Sequence, residues 1–78
     1  MIELIGPWMR DQHAFDPGAT VRTVQVDGHL FTVHNVSGPG WPMHVRPAFG
    51  DGPRLHIHTV DWENWSQVKD AARDFLNR

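Results

Sequence analysis

His56 and His58, in the stretch Arg54–Val60 (RLHIHTV), stand two residues apart. On a strand that spacing sends both imidazoles off one face about 6.6 Å apart. Two imidazoles so placed can share a metal ion, and His44 supplies a third ligand if its strand pairs alongside. Structural zinc sites usually close with four ligands, so no metal centre and no cofactor are assigned. Were a metal to bind, His44, His56 and His58 would hold it.

The same side chains suit recognition better. His34, His44, Arg46, Arg54, His56 and His58 would gather imidazoles and guanidiniums on one exposed sheet face. Imidazole titrates near neutrality, which would make such a face sensitive to pH. Trp41 joins this set because it follows Gly38-Pro39-Gly40 and precedes Pro42. A tryptophan on so constrained a loop is either a lid over the end of the core, which is the expectation here, or an exposed anchor for a partner.

Catalytic chemistry finds little purchase. Ser37 and Ser66 are the serine hydroxyls, the chain has no tyrosine or cysteine, and Lys69 is its one lysine. Ser37 lies three residues after His34 with no acid partner indicated, and it reads as a turn residue. The glycines at 38, 40, 50 and 52 match neither a P-loop nor a dinucleotide fingerprint. The chain is expected not to be an enzyme.

The elements that must position these residues follow from periodicity and turn chemistry. Thr20–Val26 and His29–Val36 flank Asp27-Gly28, the two-residue signal of a type I′ hairpin. Pairing across it sets Val26 opposite His29, Val24 opposite Phe31 and Arg22 opposite Val33. Val24, Val26, Phe31 and Val33 then face the core, leaving Val21, Thr23, Gln25, Leu30, Thr32 and His34 outside. Met43–Phe49 alternates as a half-buried strand, and Pro47, which cannot donate to a ladder, marks it as an edge or a bulge. In the last strand Leu55, Ile57 and Thr59 are predicted inward, with Arg54, His56 and His58 outward beside Arg46 and His44.

Asp61–Leu76 (DWENWSQVKDAARDFL) predicts a helix with Asp61 as its N-cap and Glu63 in the first turn. Trp62, Trp65, Val68, Ala71, Ala72, Phe75 and Leu76 share one side. That apolar side is wider than a single sheet contact needs, so a second element must touch it. The N-terminal arm is expected to do so, with a partner chain as the other reading. Within the arm, Met1–Ile5 is a short strand or strap, Gly6-Pro7 breaks the chain, and Pro7 suits the start of a short helix over Trp8–Ala14.

Seventy-eight residues make one domain: arm 1–19, sheet 20–60, helix 61–77. The predicted fold is α+β, an antiparallel four-stranded or five-stranded sheet of two hairpins with the amphipathic helix on its apolar face. So short a chain buries only about 60–65% of its unfolded surface. Without cysteine it must draw further support from its four Trp and four Phe, or from homodimerisation. The net charge of −2 and pI near 6.3 count against a strongly electrostatic nucleic-acid binder. No apolar run is long enough to span a membrane and no signal pattern opens the chain, so a soluble, cytoplasmic protein without a membrane partner is expected. Together these features predict a non-enzymatic interaction module, a small regulator or inhibitor that binds another protein through the His/Arg face or the edge strand Met43–Phe49. The alternatives are a nucleic-acid-binding domain using the same face, and a histidine-ligated metal-binding protein.

Overall fold

The computed structural model describes residues 2–12, 14–48 and 58–77. These form an antiparallel sheet of β1 (Ile2–Arg10), β2 (Thr20–Val26), β3 (His29–Asn35), β4 (Met43–Pro47) and β5 (His58–Val60). One C-terminal helix, α1 (Trp65–Leu76), packs against it. Spatial order equals chain order, β1-β2-β3-β4-β5. The fold is α+β, with the predicted fifth, N-terminal strand present.

The β2–β3 hairpin has the predicted register, Val26↔His29, Val24↔Phe31 and Arg22↔Val33. Asp27 and Gly28 sit at φ 51° and 83°, the paired positive φ values that a type I′ turn demands. Val24, Val26, Phe31 and Val33 are buried, joined by Met43, Val45 and Val60 from the later strands and by Val68, Ala71 and Ala72 from α1. The two alanines lack bulk, which lets the helix backbone sit close above the sheet. Burying each larger side chain contributes about 1.5–3 kcal/mol.

The N-terminal arm departs from expectation. Gly6-Pro7 does not end the strand, and no helix forms over Trp8–Ala14. Instead β1 continues through a bulge between Ile5↔Thr23 and Met9↔Val21, where Gly6, Pro7 and Trp8 together face Arg22. Gly6 accepts this with φ 72°, and Arg22 Nε donates to its carbonyl at 2.9 Å. Two surplus residues preserve the alternation of faces on either side of the bulge. Within the bulge Trp8 turns to the helix side, stacking on Trp62 at 5.3 Å with Trp65 at 6.1 Å. The Arg22 guanidinium lies 5.5 Å from the Trp65 ring centre, a cation–π distance. Through Trp8 the arm thus meets the apolar side at its start, at Trp62 and Trp65, while Leu76 at the far end stays exposed.

Three further expectations are corrected. First, β4 is an interior strand: it pairs with β3 throughout and with β5 over Met43–Val45. Pro47 is accommodated past the β5 pairing, and the described edges are β1 and β5. The proposed contact edge Met43–Phe49 is thus not an edge within β4, and Phe49 lies outside the described residues. Second, β5 has the opposite phase. Met43↔Val60 and Val45↔His58 put His58 and Val60 on the helix side, and His44↔Thr59 puts Thr59 outside. Val60 claims the core slot, while His58 finds partners on the helix. The predicted positions of Arg54, Leu55, His56 and Ile57 lie outside the described residues.

Third, α1 starts at Trp65 and its N-cap is Asn64, whose side chain accepts from Gln67 N at 3.1 Å. Glu63, at φ 50°, breaks helical continuity and leaves no acid in the first turn. Asp61 is held from a distance: its backbone N–H donates to Gln67 Oε1 at 2.9 Å, and Gln67 Nε2 donates to its carboxylate at 3.2 Å. Arg73 occupies the last turn. Among the described residues no helix is long and apolar enough to cross a membrane.

Candidate interaction surface

Ladder pairing aligns Arg10, Thr20, Asn35, Met43 and Val60 in one row across all five strands. The β1–β2 connection (11–19), the β3–β4 connection (36–42) and the β5–α1 connection (61–64) all leave from that row. One end of the sheet is therefore built of three neighbouring loops.

The first loop is closed at its base by Asp11 N donating to Ala19 O at 3.0 Å. Its tip is the Asp16-Pro17-Gly18 turn, where the Asp16 carboxylate accepts from Gly18 N at 2.8 Å and the Asp16 carbonyl from Ala19 N at 3.0 Å. Phe15, one residue earlier, is fully exposed. The second loop hangs on Asn35, a polar residue buried in the core. Asn35 Nδ2 donates to Trp41 O at 3.0 Å, and its Oδ1 accepts from Gly38 N. Trp41 N closes the turn on Gly38 O at 3.3 Å, with Gly38 and Gly40 at φ 99° and 87°. Trp41 is 59% exposed and Val36 50%. Trp41 is therefore not a lid over the core. A buried amide fixes its backbone and leaves its ring in solvent. Asp16, Asp61 and Glu63 are exposed on the same loops.

The outer sheet face, opposite α1, carries the other predicted residues in part. His34 and His44 are directly paired across β3–β4, and Arg46 is paired with Thr32. His34 Nδ1 lies 3.2 Å from Asp11 Oδ2 and its Nε2 2.9 Å from Thr32 Oγ1. Burial pushes the His34 imidazole below its ordinary pKa, against the opposing pull of Asp11, with Arg46 and His44 adding to the depression. His58 is absent from this face: its Nε2 lies 2.9 Å from Asp74 Oδ2, and its ring meets Phe75 edge-on. His44 and His58 therefore stand on opposite sides of the sheet and cannot share one ion. Among the described residues no group of three His, Cys, Asp or Glu is placed to hold a metal. Arg54 and His56 lie outside the described residues. Between β5 and α1 runs an open groove of about 410 Å³, walled in part by His58, Thr59, Val60, Gln67, Asp70 and Ala71.

Phe15 and Asn35 were not singled out by sequence reasoning. Phe15 directly precedes a strong turn and outside any alternating run, so no core slot awaited it. Asn35 follows the core phase of its strand, where an amide instead of an apolar residue signals a backbone in need of partners.

No protein-family model matches the chain, and no curated protein or solved structure is significantly similar to it.

Proposed function

We propose that this chain is a non-enzymatic interaction module, a small cytoplasmic regulator or inhibitor that binds another protein through its three-loop end. The observation that carries this reading is Trp41, presented to solvent by a loop whose backbone is pinned by the buried Asn35. A pre-ordered aromatic loses little conformational entropy on binding, and tryptophan is enriched among the residues that dominate interface energetics. Val36 on the same loop and Phe15 on the neighbouring one add exposed apolar side chains to this end, and Asp16, Asp61 and Glu63 favour a partner whose apolar pocket has a basic rim.

Capture from native lysate, with and without nuclease, followed by calorimetry on the recovered partner, tests the reading. The expected result is a nuclease-resistant partner whose affinity falls by about 2 kcal/mol or more with Trp41→Ala. Capture that disappears with nuclease, and binding that weakens steeply with salt, would move the site to the outer sheet face and to nucleic acid. Arg46 is the one arginine described on that face.

A further inference from the structure

We propose that the outer sheet face is the interface of a homodimer in which two copies stack sheet on sheet. Among the described residues no element packs on this face, although it carries Ile5, Met9 and Leu30, all substantially exposed, together with Val21. Around them lie Thr23, Gln25, Thr32 and His34, half-buried, with Glu3 on β1 and Arg46 on β4. The molecule measures 33 × 25 × 19 Å. Its broad face is thus of the order of the ~800 Å² that each partner contributes to a standard interface.

The charges select the geometry. A two-fold axis parallel to the strands, passing between β2 and β3, lays β1 of one copy over β4 of the second and β2 over β3. Strand levels are preserved by that rotation. Ile5, Thr23, Thr32 and Arg46 share one level, and Glu3, paired with Gln25, lies two residues further along β1. Glu3 of each copy then comes within reach of Arg46 of the other across the ~10 Å spacing of packed sheets. Thr23 sits over Thr32 of the second copy at the centre. A two-fold perpendicular to the strands would instead place Glu3 over the Met9 end of β1, with no opposite charge to meet. An isologous contact forms both Glu3–Arg46 pairs at once.

Sedimentation velocity on the full chain, over a concentration series into the high-micromolar range, tests this. The expected mass is twice the 8.9 kDa of one chain. Thr23→Glu, Glu3→Arg and Arg46→Glu should each shift the population to the single-chain mass, with circular dichroism confirming that each variant is folded. The double variant E3R/R46E should restore the dimer, because each reversed pair again attracts. A wild-type chain that stays at single-chain mass throughout overturns the proposal. So does a dimer that Thr23→Glu leaves intact, or a double variant no more dimeric than either single one. Trp41→Ala, which tests the loop end, should leave the mass unchanged, so the two sites fail independently.

Discussion

His58 Nε2 lies 2.9 Å from Asp74 Oδ2 across the joint between β5 and α1, and its ring meets that of Phe75 edge-on at 4.9 Å and 83°. A residue whose spacing suggested surface chemistry is instead a clasp between the last strand and the helix. His58→Ala removes the close contact with Asp74 and the aromatic edge together and should cost about 1–2 kcal/mol of stability. Urea denaturation followed by tryptophan fluorescence reads this directly, and a midpoint equal to wild type would return His58 to a solvated role.

Asn35 serves two backbone groups of the β3–β4 loop from inside the core. Asn35→Ala leaves the Gly38 N–H and the Trp41 carbonyl without that partner and should destabilise by about 1–3 kcal/mol. Partner affinity should fall as well, although Trp41 itself is retained. Trp41 anisotropy is the matching readout: its ring should become more mobile on the nanosecond scale.

The Asp27–Arg73 pair gives a signed acid response. Arg73 donates to the Asp27 carboxylate at 2.8 and 3.2 Å and holds its pKa well below the ordinary 3.8. The folded state thus prefers the ionised form, so the contribution is present above pH 3.8 and fades as pH falls through the lower folded value. Arg73→Gln should flatten the melting temperature against pH on the acid side of 3.8. Both groups are exposed, so the change should be small and should shrink further with added salt.

His34 responds in a higher window. Burial depresses its pKa below the ordinary 6.5, against the pull of Asp11. The unfolded chain therefore takes up the proton first, and stability declines as pH falls from 6.5 toward the folded value. Asp11→Asn removes the opposing pull, lowers the folded pKa further and should deepen that decline. Melting temperatures measured across pH 6.5, and NMR titration of the His34 ring, check the sign. A decline that does not deepen in the variant would assign the pH response to another histidine.

How far the sequence carried can be judged at particular residues. The Asp27-Gly28 hairpin was fully legible because a two-residue turn fixes both register and face. The phase of β5 was not. Alternation alone cannot say whether His58 or Thr59 takes the inward slot, and the deciding partners, Asp74 and Phe75, are distant in sequence. The cap expected at Asp61 falls instead at Asn64, because the Gln67 backbone N–H donates to the Asn64 side chain while the Gln67 side chain is taken up by Asp61. Gly6-Pro7 looked like a stop. It became a bulge because Arg22, on the neighbouring strand, caps the Gly6 carbonyl. Of the interaction surface, Trp41 was recognised but expected to be buried, since the sequence does not reveal that Trp8, Trp62 and Trp65 already close the core without it.

The strictly sequential strand order has a kinetic consequence. Each described strand hydrogen-bonds only to strands adjacent in the chain, so pairing needs no long loop closure, and a topology of this kind folds quickly for its sheet content. The contacts between sheet and helix are long-range by contrast, and that of Trp8 with Trp62 and Trp65 joins the first strand to the start of the helix. During synthesis the early strands can zip together while Trp8 waits for the C-terminal segment to emerge. The tryptophan stack is then the last seal on the fold, and substitutions there should quicken unfolding while leaving the rate of hairpin formation nearly untouched.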